Sequence, residues 1–238
     1  MTIQNMRCPA RDLISKIKKN DTLSILNSKN LSAEVAEMLT DKIIRSELKS
    51  GERILEAKVS KELGISQSSL REALRVLEQN GLVEINPRRG TYVRKVTRTD
   101  AEIVYEILSE LYQLIARKAF TARTDAETAA VIDAADVFEK NAGQLGFEDF
   151  YRSMFDLVLF GLAIVNSSVL TKVTLDLLPV KRRIEYMTLA ARRDDMTPLI
   201  KQFRQMRKLA AAGNIEGLCR AINDFLEKEK KAALSVID

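Results

Sequence analysis

"VSKELGISQSSLREALRVLEQNGLV" (59–83) is the stretch from which the rest of the chain is read. Gly64 stands between two helical runs, where a left-handed turn is cheap only without a Cβ. Ser66 is placed to cap the helix that follows, which the pattern carries from Gln67 to Gln79. Within it, Leu70, Ala73, Leu74 and Leu77 fall at i, i+3, i+4 and i+7, the spacing of one buried stripe. Gln67, Arg71 and Arg75 fall at i, i+4 and i+8, a second and polar stripe. Two arginines four apart repel by a few tenths of a kcal/mol, roughly, in an isolated helix. That cost makes sense if a polyanion meets the face.

Working outward, a short helix is expected from Glu56 to Leu63, preceded by the loop signal "KSGER" (49–53). Before that loop, Leu31, Val35, Leu39 and Ile43 recur at helical spacing through Ser46, with Ser32 as the expected N-cap. Downstream, Asn80-Gly81 stops the helix, and Leu82 to Asn86 and Thr91 to Val96 read as strands around a tight Pro87-Arg88-Arg89-Gly90 turn. Helix, helix, turn, helix, hairpin is the order of a winged helix-turn-helix. From Thr99 onward the pattern is helical throughout, with helices expected near 99–121, 125–141, 147–165, 168–191, 196–212 and 214–234. The expectation is a mainly α chain in three parts. Residues 1–30 form a polar N-terminal arm and 31–97 a winged helix-turn-helix DNA-binding domain. Residues 98–238 form an all-helical antiparallel bundle for effector binding and dimerisation.

Composition sets the bounds. A chain of 238 residues suits two domains, and 46% hydrophobic residues supply a core, which excludes wholesale disorder. Nine Gly, four Pro, 5% aromatics and no Trp argue against an all-β chain. Histidine is absent, which excludes imidazole catalysis, histidine-ligated metals and a Ser-His-Asp triad. Cys8 and Cys219 lie too far apart in sequence for a C-x-x-C zinc motif, and two thiols give no disulfide framework. No signal-peptide pattern opens the chain. Its longest apolar run, Leu157 to Val165, is about half of the ~20 residues a bilayer span needs. The expected setting is cytoplasmic, without membrane contact.

Charge is unevenly distributed. The net value is +5, but residues 1–97 carry 18 basic against 12 acidic side chains, while 98–238 carry 20 against 21. The excess belongs to the first part alone, as contact with a polyanion requires. A helix with Arg71 at its centre fits the DNA major groove, where arginine takes guanine bidentately. Gln67 suits adenine, and Ser66 and Ser68, with the helix N-terminus, suit phosphates. Arg88, Arg89 and Gly90 at the hairpin tip are placed for the backbone or the neighbouring minor groove, with Arg94 and Lys95 extending that surface. Alone, an arginine-bearing helix is a solvated face. Its order with the glycine turn, the capped start and the arginine-tipped hairpin favours DNA.

Residues 31–93, with "LREALRVLEQNGLV" followed by Pro-Arg-Arg-Gly, resemble the N-terminal domain of GntR-family bacterial transcription regulators. The helical remainder is similar to the FCD-type (FadR-like) effector domain, mainly through "NSSVL" (166–170) and "LAAAGNIEGLCRAINDFLEK" (209–228). The resemblance implies DNA contacts at Ser66, Gln67, Ser68, Arg71, Arg75 and Gly90. The family usually carries arginine where this chain has Gln67, and often proline where it has Ser69. Many FCD domains hold a divalent metal through one Asp and three His. The matching positions here are Arg152, Asp156, Phe203 and Phe225, of which only Asp156 ligates metals, so no metal and no cofactor is expected. Leu108 stands where the family has a pocket arginine.

Several readings remain for the bundle interior. Arg152 and Asp156, at i and i+4, pair with each other, while Phe203 and Phe225 fill core. The sharper alternative is a mostly apolar effector with an acid group, a small organic acid or acyl compound. It would be bound by Phe203, Phe225 and an arginine such as Arg152 or Arg183, with Tyr186 beside Arg183. A third is no effector. The "KRR" run at 181–183 reads as a solvated helix face.

The function expected is a homodimeric, metabolite-responsive regulator, commonly a repressor, reading a short inverted repeat in double-stranded DNA. One alternative is a winged-helix protein-interaction module without DNA readout. The other is an enzyme, for which neither a nucleophile–base pair nor a cofactor fingerprint speaks.

Overall fold

The computed structural model describes residues 31–122, 124, 155, 158–192, 195 and 197–237. The expected arm (1–30), the helix expected at 125–141 and most of that at 147–165 lie outside the described residues. The described residues are mainly helical, with one small three-stranded antiparallel sheet whose first strand lies between the first and second helices and whose other two follow the third.

Helix α1 (Leu31–Ile44) buries Val35, Ala36, Leu39, Ile43 and Ile44. Two expectations at its ends are corrected. Ser32 is not the cap but lies inside the first turn, buried, while Leu31 is exposed. The helix stops at Ile44 rather than at Ser46, which takes the left-handed conformation (φ +59°) as the amides of Glu47 and Leu48 fold back to the Lys42 carbonyl.

Strand β1 (Arg53–Ile54) follows, then α2 (Glu56–Leu63). Gly64 (φ +65°) closes α2 by sending its amide back to the carbonyls of Ser60 and Lys61. Helix α3 (Gln67–Gln79) starts from Ser66, whose Oγ accepts from the Ser69 amide at 3.1 Å.

Strands β2 (Val83–Asn86) and β3 (Gly90–Val93) form the wing, and the sheet order is β1-β3-β2. Asn86 pairs with Gly90, so Pro87, Arg88 and Arg89 make the tip. The second strand ends at Val93, not Val96, because the chain must turn there to enter the next helix. β1 overlaps the end of the expected 49–53 loop, since two residues carry no alternation for a sequence to show. Ile54 of β1, paired with Thr91, belongs to the same core as α1, α3 and the hairpin.

Helix α4 (Arg98–Ala122) opens the helical part. Its start is a capping box: Thr97 Oγ1 accepts from the Asp100 amide at 3.1 Å, and Asp100 Oδ2 accepts from the Thr97 amide at 3.1 Å. Burial pushes the Asp100 carboxyl up, but these bonds and Arg94 bring it below the usual range. Residues 158–165 are helical. α5 (Ser168–Ala190) is capped by Ser167, α6 (Thr197–Ala211) follows, and α7 (Ile215–Leu234) is capped by Asn214. α4 and α7 pack along each other, with α5 and α6 against them. Their shared core includes Tyr105, Leu108, Ile184, Leu189, Phe225, Leu226 and Ala233. Ile44 of α1 packs into this second core, so the two cores meet at the end of α1.

Leu74 is 1% exposed at the centre of the first core. Leu74→Ala is expected to lower unfolding free energy by about 2–5 kcal/mol, read as a lower urea midpoint at unchanged slope.

Candidate nucleic-acid interface

The two stripes of α3 separate as their spacing requires. Leu70, Ala73, Leu74 and Leu77 are no more than 1% exposed, whereas Gln67, Ser68, Arg71 and Arg75 face solvent. Burying the first set leaves the second no choice of direction, because both sit on one rigid cylinder.

At the N-terminus of the helix three hydroxyls form a cluster. Ser66 Oγ lies 2.8 Å from Ser68 Oγ and 2.9 Å from Ser69 Oγ. Only Ser66 is consumed by the backbone, so the others add donors beside the amides of a helix start, a setting that favours anions.

Arg71 is aimed by a residue that the sequence did not single out. Its Nε donates to Glu56 Oε2 at 2.8 Å, and the other oxygen of the same carboxylate accepts from Thr91 Oγ1 at 3.3 Å. Glu56, at the start of α2, thus touches both the recognition helix and the wing. The Arg71 side chain stays 64% exposed, so the pair orients the guanidinium rather than hiding it. Such an exposed pair adds only ~0–1 kcal/mol to stability. No pattern flagged Glu56, because its partners are fifteen and thirty-five residues away.

The wing tip is held by backbone conformation. Arg88 adopts φ +67° and Gly90 φ +99°, both in the left-handed region. A Cβ on Gly90 would stand 3.1 Å from the Nε of Arg53, a flexible side chain free to shift, so it is the positive φ that favours glycine here. The Tyr92 hydroxyl donates to the Arg89 carbonyl at 3.2 Å and braces the tip. Arg88 and Arg89 are exposed, and Arg53 brings one more cation to the wing from β1. Arg94 is partly engaged, 3.4 Å from Asp100.

Residues expected to line an effector pocket do not come together as expected. Arg152 and Asp156 lie outside the described residues. Phe203 and Phe225 do meet, edge to face with ring centroids 5.3 Å apart. Tyr186 is half-buried against the helical core. Arg183 is not in that interior. Its Nη1 donates to the Arg94 carbonyl at 2.5 Å and its Nη2 to Ser50 Oγ at 2.7 Å, both in the winged part. Burial draws its guanidinium down to about 10, still charged at neutral pH.

Nor is "KRR" a solvated face. Arg182 reaches Asp41 of α1 at 3.5 Å, and Lys181 is 3% exposed in the interior, 2.6 Å from Glu185. The reason is geometric. Residues 181 and 183 lie two steps of about 100° apart on a helix, hence on nearly opposite sides. Among the described residues no group of three or more Cys, Asp or Glu stands together as metal ligands, and no helix is long and apolar enough to cross a membrane.

An arginine-bearing helix capped by serines, beside an arginine-tipped hairpin on a three-stranded sheet, is a winged helix-turn-helix. Residues 31–93 match the family model described as "Bacterial regulatory proteins, gntR family", the same stretch that folds as the winged part. Over 72 residues the chain is 39% identical to the uncharacterized HTH-type transcriptional regulator YdhC of Bacillus subtilis (strain 168), covering 30% of this chain and 32% of that protein. Over 97 residues it is 27% identical to the HTH-type transcriptional repressor RspR of Escherichia coli (strain K12), covering 41% of this chain and 42% of that protein. The matches thus span a third to two-fifths of these relatives' length.

In three dimensions the chain is similar to a protein described as a GntR transcriptional regulator from Rhodococcus sp. RHA1. The TM-score is 0.66 at 21% identity, over 87% of this chain and 99% of the other. It is similar also to E. coli McbR/YncC, with TM-score 0.66 at 19% identity, over 86% and 97%. The fold is therefore shared well beyond the winged domain.

Gly90→Val is expected to cost about 1–3 kcal/mol through strain at its positive φ. Faster amide exchange across 86–91, with protection of α3 retained, is the measurement that checks it.

Proposed function

We propose that this chain is a sequence-specific DNA-binding transcription regulator. One observation carries the reading: Gln67, Arg71 and Arg75 stand exposed along a helix whose opposite stripe is completely buried, with Arg71 held in aim by Glu56. A helix so presented enters the major groove N-terminal end first. Arg71 takes a guanine through O6 and N7, and Gln67 reads the neighbouring base. Ser66, Ser68 and the first amides of α3 bind phosphate. The wing, with Arg88, Arg89 and the tight Gly90 corner, follows the backbone into the adjacent groove. The excess positive charge of residues 1–97 supports the same partner.

The helical part, in this reading, is of the FCD type. It joins two copies into a homodimer, so that two winged domains read the halves of an inverted repeat. Repression from such a site, in the cytoplasm and under control of a small effector, is the mode proposed. An effector acts by favouring one arrangement of the two heads over another, which takes about 1–3 kcal/mol of differential binding. The names of the relatives, all HTH-type regulators, support a regulatory role.

The experiment is binding selection of the full chain on random duplexes, then titration of the selected duplex and a scrambled one. Arg71→Ala is expected to lower affinity for the selected duplex by about 1–3 kcal/mol while leaving scrambled duplex nearly unchanged. Replacing Arg88 and Arg89 by Ala should flatten the salt dependence by about one ion per lost phosphate contact. Equal affinity of the unaltered chain for both duplexes rejects the proposal.

A further inference from the structure

The middle of α5 sends its charges in two directions. Inward, Lys181 and Glu185 form an ion pair with side chains only 3% and 1% exposed. A second buried carboxylate, Glu229 of α7, is held by Arg192 at 2.6 and 3.2 Å. Tyr105 of α4, 1% exposed, belongs to the same neighbourhood, where burial and the charges of Glu185 and Glu229 push its hydroxyl well up. Three helices therefore bring ionised and hydroxyl groups into one core.

Buried ion pairs rarely stabilise a fold relative to apolar packing. This one also leaves polar atoms open. Glu185 Oε1, the hydroxyls of Tyr105 and Tyr112, and Arg192 Nε are buried with no hydrogen-bond partner among the described residues. Native interiors rarely tolerate such groups without a reason.

We propose that Lys181, Glu185 and Tyr105 are the centre of a binding site, inside the helical bundle, for a neutral hydroxyl-bearing small molecule of the sugar or polyol class. The open atoms set the chemistry. An ionised carboxylate only accepts, so Glu185 Oε1 requires a donor. A tyrosine hydroxyl donates or accepts, and an alcohol does both. Charge balance sets the rest. Lys181 is compensated by Glu185, and Glu229 by Arg192, so a ligand of either charge would lie buried without a counter-ion. Arg183, one of the two arginines expected to partner an acidic effector, points into the winged part instead. Phe155 completes the apolar side, its ring centroid 4.5 Å from the Lys181 ammonium.

The same helix gives the site a route outward. One or two residues from Lys181, Arg182 and Arg183 grip Asp41, Ser50 and the Arg94 carbonyl. A ligand that repositions α5 at residues 181–185 moves the anchor of the winged part. The site stands on the buried cluster alone. Its effect on DNA rests on the function proposed above.

The test titrates the full chain with xylitol, mannitol and glucose, and with gluconate and glucosamine as charged analogues, by calorimetry and thermal shift. Saturable binding of a neutral member is expected, with both charged analogues weaker by ~10-fold or more. Tyr105→Phe should keep the unliganded melting temperature and lose ~10-fold or more of that affinity, which a purely structural tyrosine would not show. Glu185→Gln should turn the preference toward gluconate, since Lys181 then lacks a counter-ion. No saturable binding of any neutral compound overturns the proposal, as does a preference of the unaltered chain for gluconate or glucosamine, or full affinity in Tyr105→Phe. Duplex binding is measured on the unliganded chain, so failure of the sugar site and failure of the regulator reading are told apart.

Discussion

Burial of one stripe on α3 is the constraint from which the exposed cationic surface follows. Leu70, Ala73, Leu74 and Leu77 lock into the core formed with α1, β1 and the hairpin. Each of the three leucines contributes about 1.5–3 kcal/mol on burial. Against that, mutual repulsion of Arg71 and Arg75 is small. The apolar stripe therefore dictates where the cationic one points, and the arginines need no stabilising role of their own. Stability and recognition are divided between two faces of one helix. Glu56 refines that division, since its carboxylate spans Arg71 and Thr91 and so fixes the helix and the wing relative to each other.

The junction between the two cores obeys a different rule. Apolar contact there includes Ile44, which belongs to α1 yet packs with the helical core. Around it stand directional bonds from Arg182 to Asp41 and from Arg183 to Ser50 and the Arg94 carbonyl. A guanidinium with its fixed fork of donors suits backbone carbonyls and hydroxyls that must keep one mutual geometry. Oil-like contacts would tolerate sliding, whereas such bonds hold an orientation and let go only in discrete steps. Orientation is the property that matters if two DNA-binding heads must match a fixed spacing.

What the sequence showed and what it hid divide along the same physical line. Local determinants were legible: the Gly64 turn, the Ser66 cap, the limits of α3, the wing tip and the helix breaks near Ser167 and Asn214 all depend on neighbours within a few residues. Long-range determinants were not. β1 is too short to show a period and exists because Thr91 and Tyr92 offer it an edge. Glu56 gains its role from partners far along the chain. The triplet at 181–183 was misread because charge is normally a sign of exposure, and only the packing of α5 between two cores separates one buried pair from two outward clamps. Residues 152 and 156, which the sequence reading pairs at i and i+4, lie outside the described residues.

The position of α5 gives the last step. Its inner face carries a charge pair that is costly to bury, and its outer face carries the cations that hold the winged part. Each alone has an ordinary explanation, a tolerated polar core or an interface clamp. Together, within five consecutive residues of one rigid helix, they couple two environments with no intervening flexible element. Whatever satisfies Glu185 and Tyr105 acts on the same turn and a half of helix that positions Arg183. A side chain on the surface of the bundle could be neutralised by water and counter-ions before it moved anything. A buried pair at 2.6 Å has no such buffer, so a change in its partners falls directly on side chains of the helix that carries Arg183.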